Sequence, residues 1–225
     1  MSEATVIAIV GAESTGKTAL AAALAGRVAA ETGLACAWVP EQLRLWCERE
    51  GRTPRPDEQA GIAAAQRDAV EAAVATHDVV LADTTPLMIA VYSRKLFADD
   101  SLIADAMAWQ HRCALTLLTA LDLPWVADGL QRDGPQVRPP VDAIIRELLI
   151  GHRLPWALVS GSGEQRTANA LDAIAPLLRA RATPRRGLFT RLAERNAEDR
   201  PWSCEFCDDP ECEHHSRRLD NTTRR

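Results

Sequence analysis

The sequence predicts an α/β domain in which an open parallel sheet of about five strands is covered by helices on both faces. Three observations predict it. Short apolar runs alternate with longer segments of helical periodicity from residue 5 to about residue 180. The run TVIAIV is followed by GAESTGKT at 11–18 and then by an Ala/Leu-rich segment. The 225 residues, 47% hydrophobic and 25% charged, are sufficient for one three-layer core.

The first half of the chain contains three of the predicted strands. Each is a short run rich in Val, Ile or Ala, as in strands buried within a parallel sheet. Gly33 favours the end of the first helix, because glycine tolerates the left-handed conformation found there. Acidic residues in its first turn favour a helix that begins at residue 57. The predicted strands are 5–10, 34–39 and 77–82, and the predicted helices are 17–30, 41–48, 57–76 and 86–97.

The second half contains the remaining two strands. ALTLLTAL at 114–121 is ambiguous by period, and we predict a strand because the loop-like residues DLPW follow it. The stretch GLQRDGPQVRPP at 129–140 is polar and interrupted by Gly and Pro, which predicts a loop. The other predicted elements are a strand at 156–160 and helices at 101–112, 141–150 and 166–179.

The motif GAESTGKT has the pattern G-x-x-x-x-G-K-T and lies between a predicted strand and a predicted helix. Its glycines let the backbone curl so that successive N–H groups point at a phosphate, and the helix adds its dipole. Lys17 is expected to reach the β- and γ-phosphate oxygens, and Thr18 to offer its hydroxyl to Mg²⁺. We therefore predict that ATP and Mg²⁺ bind at Gly11, Ala12, Glu13, Ser14, Thr15, Gly16, Lys17 and Thr18.

Ligands of open parallel sheets bind outside the carboxyl ends of the strands. Two carboxylates that follow predicted strands are therefore candidate site residues. Asp83 follows the run DVVLA, where an acid that orients Mg²⁺ or its water is expected; capping of the next helix is an alternative role. Glu41 follows the second predicted strand. We assign Asp83 to the metal and to base catalysis, and Glu41 with Arg44 to the hydroxyl groups of a substrate. The reverse assignment of the two carboxylates stays open.

Arg132 and Arg138 lie in the polar stretch between the fourth and fifth strands, where small-molecule kinases carry a lid. Guanidinium groups in a lid neutralise charge on the transferring phosphoryl group and exclude water. A solvated surface loop is the alternative. Because a lid is polar, Ala substitutions there are expected to lower turnover with little change in thermal stability. Asp128 either binds substrate or anchors this lid.

The remaining motifs separate the classes of phosphate-loop protein. The sequence contains no guanine-reading N-K-x-D, and the chain is shorter than most mechanical ATPases, which favours a small-molecule kinase. A nucleotide-dependent regulatory protein and a self-contained ATPase remain as alternatives. Four aromatic residues either stack on a base or belong to the core, which is the commoner role: Trp38, Trp46, Tyr92 and Trp109.

Four segments carry a resemblance to the ribosylnicotinamide kinase domain of NadR-type proteins: VIAIVGAESTGKT (6–18), WVPEQLR (38–44), LADT (81–84) and LDLPWVADGLQRDG (121–134). The last is the most specific. The resemblance covers residues 5 to about 180 and implies transfer of phosphate from ATP to the 5′-hydroxyl of a ribonucleoside such as nicotinamide riboside. Family members often carry an aromatic residue where Gln42 stands here, and a second acid where this chain has Thr84 and Thr85.

Composition changes near residue 181, which predicts a kinase-like domain at 1–180 and an appendage at 181–225. Thiolates and imidazoles close in sequence favour a structural Zn²⁺ in a reducing compartment, with a disordered tail or a redox pair as alternatives. Such a module could bind a protein partner or a second copy of the chain. The candidate zinc ligands are Cys204, Cys207, Cys212, His214 and His215.

The net charge of −5 argues against a dedicated nucleic-acid binder. No apolar run approaches the roughly 18 residues of a membrane span, and the N-terminus lacks the basic region of a signal peptide. Three scattered cysteines, at 36, 47 and 113, are typical of free thiols. We therefore expect a cytoplasmic protein that does not associate with membranes.

Overall fold

The structure, a computed structural model, describes residues 4–126 and 134–179. Within these residues five strands form one sheet, and all of its neighbouring strands are parallel. The strands are β1 (Thr5–Val10), β2 (Cys36–Val39), β3 (Val79–Asp83), β4 (Leu115–Thr119) and β5 (Trp156–Val159). Their order across the sheet is β2-β3-β1-β4-β5, so the predicted fold class is confirmed.

Seven α-helices connect or follow these strands within the described residues. They are α1 (Lys17–Thr32), α2 (Gln42–Glu50), α3 (Gln59–Val74), α4 (Pro86–Phe97), α5 (Ile103–Gln110), α6 (Arg138–Gly151) and α7 (Gly163–Leu178). Helices α1 and α7 pack against each other, while α4 packs against α3, α5 and α6. None of the helices in the described ranges is long and apolar enough to cross a membrane.

The burial of each strand follows from its position in the sheet. Every residue of both strands is buried, because each strand has neighbours on both sides and helices on both faces. The edge strands are less covered, and Trp38 on β2 and Leu158 on β5 remain 40% and 48% exposed. Strand β1 lies between β3 and β4, so the crevice at their carboxyl ends is the place where a ligand is expected.

Most predicted boundaries agree with the structure to within a few residues, and the ends of α1 and α6 show why. Gly33 ends α1 in the left-handed conformation, with φ 74° and its N–H bonded to the Ala29 carbonyl, as predicted. Helix α6 begins at Arg138, three residues earlier than predicted, and Pro139 and Pro140 lie in its first turn. Proline stabilises a first turn because the N–H that it lacks has no helical partner there.

Candidate active site

The phosphate loop is held in a curled conformation by two threonines. Gly11 passes so close to Thr119, at the end of β4, that a Cβ atom would overlap the Thr119 hydroxyl. The Thr15 hydroxyl donates to the Ala12 carbonyl at 2.7 Å and lies 2.7 Å from the Thr119 hydroxyl. Gly16 has φ 74° at the start of α1, a conformation that residues with a Cβ rarely adopt. The glycines of the motif are therefore required by sterics.

Lys17 and Thr18 open α1 and face a cavity of about 510 Å³. The Lys17 ammonium donates to the Ala12 carbonyl at 2.9 Å and so folds back over the loop. The cavity is lined by the loop together with Arg44, Leu123, Pro124 and Val126. A volume of this size is typical of small-molecule sites, and its position over the loop agrees with the predicted phosphate site.

Asp83 ends β3 with its side chain only 1% exposed and with neither carboxylate oxygen hydrogen-bonded within the described residues. The Thr18 hydroxyl lies beside it. Burial raises the pKa of Asp83, and Thr18 and Lys17 oppose that shift. Helix α4 is instead preceded by Thr85, which occupies the cap position, so Asp83 does not cap it. Buried carboxylate oxygens without partners are rare, and with a hydroxyl nearby they form the hard oxygen donor set that Mg²⁺ prefers.

Glu41 lies at the N-terminal cap position of α2, yet its side chain makes no capping hydrogen bond. Its carboxylate is close enough to Lys17, Asp83 and Arg44 for their charges to affect it. Burial raises the pKa of Glu41, Lys17 opposes that shift, and Asp83 reinforces it. The structure thus places Glu41 and Asp83 together at the edge of the phosphate loop, as expected of acids that follow neighbouring parallel strands.

Thr84 is a part of this site that the sequence analysis did not assign. It has φ 67°, a conformation that costs a β-branched residue on the order of 1–3 kcal/mol. Its side chain is fully buried, and its hydroxyl has no well-formed hydrogen bond within the described residues, although it lies near Glu41. Nothing in the run Asp83-Thr84-Thr85 indicates a left-handed threonine, so no sequence signal could have found it.

Arg138 differs from its prediction. It was expected in a polar loop, but it is the first residue of α6 and is only 5% exposed. One of its guanidinium nitrogens, Nη1, donates to the Leu123 carbonyl at 2.9 Å, while Nε and Nη2 have no partner within the described residues. Because the side chain is buried and holds the segment beside the phosphate loop, we expect Arg138→Ala to lower the thermal stability, in contrast to the expectation for a polar loop. Arg132 and Asp128 lie outside the described residues.

The Val126 backbone N–H connects the segment after β4 to the phosphate loop by donating to the Ser14 hydroxyl at 2.8 Å. Ser14 has φ 54°. Leu123 lies over Gly16, close enough that a Cβ on Gly16 would approach Leu123 Cδ1 to 3.0 Å. Leu123, Pro124 and Val126 therefore form one wall of the cavity.

Two further buried polar residues were missed by sequence reasoning, one in contact with the phosphate loop and one with the start of α2. Arg166, in the first turn of α7, is 4% exposed and donates to the carbonyl of Thr15 at 3.0 Å. Gln66 of α3 is fully buried and accepts the N–H of Gln42, the first residue of α2, at 2.7 Å. A polar residue within a helical pattern gives no sign of its distant partner, so neither contact could have been read from the sequence.

The four candidate aromatic residues divide between core and surface. Tyr92 and Trp109 are buried, and the Trp109 indole donates to Glu71 at 2.9 Å. Trp38 is exposed at the sheet edge. Trp46 lines a second cavity, of about 390 Å³, between α2 and α3. The guanidinium carbon of Arg52 lies 4.8 Å from the centre of the Trp46 ring.

No group of His, Cys, Asp and Glu that could hold a metal ion through three or more side chains occurs in residues 4–126 and 134–179. Cys36, Cys47 and Cys113 are free thiols. Burial raises the pKa of Cys36 to about 11 and that of Cys113 to about 12, which makes both poor nucleophiles at neutral pH. The predicted zinc ligands at 204–215 lie outside the described residues.

The fold and the site together define a P-loop domain of the kinase type: a parallel sheet with the phosphate loop after its central strand and an acid after the neighbouring strand. The sequence profile of the AAA domain family matches residues 6–166. The chain belongs to this family. Among curated proteins none matches the sequence.

Solved structures show the same fold at low sequence identity. A NadR protein in complex with NAD and AMP-PNP superposes with a TM-score of 0.61 at 19% identity, over 77% of this chain and 49% of that one. A NadR protein in complex with NR gives 0.57 at 18% identity, over 77% and 50%. Thymidylate kinase from Candida albicans gives 0.52 at 14% identity, over 78% and 92%. The matching region spans about half the length of the NadR chains, and it confirms the predicted resemblance to the NadR fold.

Proposed function

We propose that the chain is an ATP- and Mg²⁺-dependent kinase that transfers the γ-phosphoryl group to a hydroxyl of a small molecule. The observation that carries the proposal is the pair of carboxylates, Glu41 and Asp83, placed together beside Lys17. A protein that only switches on nucleotide binding needs one acid for the metal. A kinase has use for a second, because the acceptor hydroxyl must be oriented and must lose its proton.

The residues divide into three roles in this proposal. Lys17 and the backbone N–H groups of the loop hold the β- and γ-phosphates. Asp83 and Thr18 would hold Mg²⁺, which supplies charge neutralisation at the phosphates when it is bound. Glu41 accepts a hydrogen bond from the hydroxyl group that receives the phosphate, and its carboxylate is not engaged in capping α2. Arg44 lines the cavity and is suited to a further hydroxyl of the substrate.

The reaction balances with these groups. The acceptor oxygen forms a bond to the γ-phosphorus while the bond from that phosphorus to the β,γ-bridging oxygen breaks, and ADP leaves with the electron pair of the broken bond. The hydroxyl proton passes to the Glu41 carboxylate, which reverses the assignment first made from the sequence and leaves Asp83 to the metal. Burial raises the pKa of Glu41, as suits a proton acceptor. Arg132 and Arg138 are proposed to neutralise charge on the transferring group, and Asp128 to contact the substrate or hold the lid.

A ribonucleoside is the acceptor class that we favour, with nicotinamide riboside as the first compound to test. The support is the match to a NadR protein in complex with NR together with the segment LDLPWVADGLQRDG. The change to Gln42 and the Thr84-Thr85 pair beside the site are reasons to test a panel rather than a single compound.

The test is ADP release from ATP and Mg²⁺ with a panel of nucleosides that includes nicotinamide riboside, and mass spectrometry of the phosphorylated product. We expect one acceptor to raise ADP release well above the basal rate in the wild-type protein. Glu41→Gln should lose the acceptor-dependent part while it still binds ATP. If no acceptor raises ADP release, the nucleotide-dependent regulatory function is favoured instead. If Glu41→Gln retains full transfer, Asp83 is the proton acceptor.

For the tail we propose one structural Zn²⁺ held by Cys204, Cys207, Cys212 and one of His214 and His215. Four soft or borderline ligands match tetrahedral zinc coordination, and a short segment with few apolar residues gains order from metal binding. Metal analysis of the full chain purified without chelator should find about one zinc per chain, and Cys207→Ser should remove it. Loss of zinc with either single His substitution is not expected, because the neighbouring imidazole can replace it. Absence of zinc from the full chain would contradict the proposal.

A further inference from the structure

We propose that Arg166 is a positioning residue for nucleotide binding, which sets the direction of the Gly16 N–H in the phosphate loop by holding the carbonyl oxygen of Thr15. The inference rests on the phosphate-binding part of the proposed function and not on the identity of the acceptor. Arg166 belongs to α7, more than a hundred residues from the motif, and no motif includes it.

The guanidinium of Arg166 joins three segments at the carboxyl edge of the sheet. Nη2 donates to the carbonyls of Thr15 at 3.0 Å and Ala120 at 3.3 Å. Nη1 donates to the Gly161 carbonyl at 2.7 Å and to Asp122 Oδ1 at 2.8 Å. The phosphate loop, the end of β4 and the end of β5 are thereby fixed to one planar group.

Asp122 keeps this group in place. Its second oxygen, Oδ2, accepts the Gly161 N–H at 2.6 Å, so the carboxylate spans from the guanidinium to the backbone after β5. Burial acts to raise the pKa of Asp122, but Arg166 and the Gly161 N–H outweigh it and lower that pKa. The carboxylate is therefore ionised at neutral pH, and it compensates the charge of a guanidinium that is only 4% exposed.

The consequence for the loop follows from the planarity of the peptide bond. In a trans peptide the carbonyl of Thr15 and the N–H of Gly16 point in opposite directions. A donor that holds the Thr15 carbonyl on the α7 side therefore directs the Gly16 N–H to the other side. The chain contains no cis peptide within its described residues, so this relation holds at the Thr15–Gly16 bond.

Gly16 is also the position at which this peptide could rotate. Its φ is 74°, and glycine adopts negative φ as readily as positive φ. Thr15 is fully buried, so its carbonyl would lack a water partner without Arg166, and an unsatisfied buried carbonyl favours rearrangement. Rotation would turn the carbonyl oxygen toward a bound phosphate, where it repels the anion. Arg166 thus selects the conformation of the loop that binds phosphate.

The test compares Arg166→Met with Arg146→Met as a matched control. Arg146 lies on α6, pairs with Asp142 at 2.6 Å and stacks with Trp156 at 5.4 Å, so its loss also removes an ion pair from a partly buried guanidinium. Among the described residues Arg146 makes no hydrogen bond or ion pair with the phosphate loop. Affinities for Mg²⁺·ATP and for tripolyphosphate, which has no base or ribose, are measured by calorimetry well below the melting temperature of both variants.

We expect Arg166→Met to lower the affinity for both ligands by on the order of tenfold to a hundredfold. This is the scale of one or two lost hydrogen bonds to a charged group. Arg146→Met should lower the melting temperature and keep wild-type affinities. Arg166→Lys should have intermediate affinity, since an ammonium can reach Thr15 but cannot span the other acceptors, and it replaces Arg166→Met if that variant does not fold. In ¹⁵N-glycine-labelled protein, tripolyphosphate should shift the Gly16 amide in the wild type and not in Arg166→Met.

Wild-type affinity in a folded Arg166→Met or Arg166→Lys variant, or equal losses in Arg166→Met and Arg146→Met, would overturn the proposal. The kinase function fails separately, if no acceptor raises ADP release while the wild type still binds ATP. A wild type that binds neither Mg²⁺·ATP nor tripolyphosphate would overturn both.

Discussion

Lys17→Ala is expected to lower the affinity for Mg²⁺·ATP by at least on the order of a hundredfold and to abolish turnover, because the ammonium is the one lysine charge at the loop. Its Nζ lies 2.9 Å from the Ala12 carbonyl, within the curl where the phosphates are expected. Burial raises the pKa values of Glu41 and Asp83, and the positive charge of Lys17 acts to lower both. Its loss therefore removes a phosphate donor and leaves two buried carboxylates with less compensating charge.

Lys95→Ala is the matched control, since Lys95 is the other lysine of the chain and lies exposed on α4. Calorimetric titration with Mg²⁺·ATP and steady-state ADP release are the measurements, and circular dichroism establishes that both variants are folded. We expect Lys95→Ala to match the wild type in each. Wild-type affinity and turnover in Lys17→Ala would show that the loop does not bind the nucleotide.

The sequence was sufficient for the parts of the fold that local chemistry determines. The alternation of apolar runs with helical segments predicts the sheet, and the strand and helix around GAESTGKT predict the loop conformation seen at Gly16 and Thr18. Glu41 and Asp83 could be placed at one edge because carboxyl ends of parallel strands meet there. Arg138 was misplaced because Pro139 and Pro140 indicate a loop in isolation and a helix start in context.

Long-range contacts account for what could not be predicted. Arg166 binds Thr15 across 151 positions of sequence, and no local pattern encodes that distance. The left-handed Thr84 is imposed by its surroundings against its own preference. Local strain and distant hydrogen bonds of this kind are visible only after the chain has folded, and Thr84 and Arg166 show both beside the phosphate loop.

Asp83→Asn is expected to separate function from stability. Turnover should fall by on the order of a hundredfold or more, the scale of a lost electrostatic contribution at the transferring phosphate, because the neutral amide is a poor ligand for Mg²⁺ or its water. The melting temperature of the metal-free protein should not fall and is expected to rise. Both oxygens of Asp83 are buried without a well-formed hydrogen bond among the described residues. Burial raises the pKa of Asp83 more than Thr18, Lys17 and Arg44 lower it, so the ionised carboxylate opposes folding at neutral pH.

The measurement is thermal unfolding with and without Mg²⁺·ATP, together with turnover, for Asp83→Asn and for Asp68→Asn. Asp68→Asn is the same substitution at a surface site, where the Asp68 side chain is 66% exposed and pairs with Arg67. We therefore expect wild-type turnover and little change in melting temperature for Asp68→Asn. The wild type should gain stability from Mg²⁺·ATP, since a ligand of the native state shifts unfolding by mass action, and Asp83→Asn should gain less. If Asp83→Asn is less stable than the wild type without metal but turns over normally with Mg²⁺·ATP, Asp83 is a structural residue. In that case the burial of its carboxylate would serve the fold, and the metal would have to be held elsewhere. A structural residue is expected to stabilise the fold that contains it. A buried carboxylate that binds a metal instead lowers the stability of the metal-free protein. Thermal unfolding and turnover together distinguish these two roles.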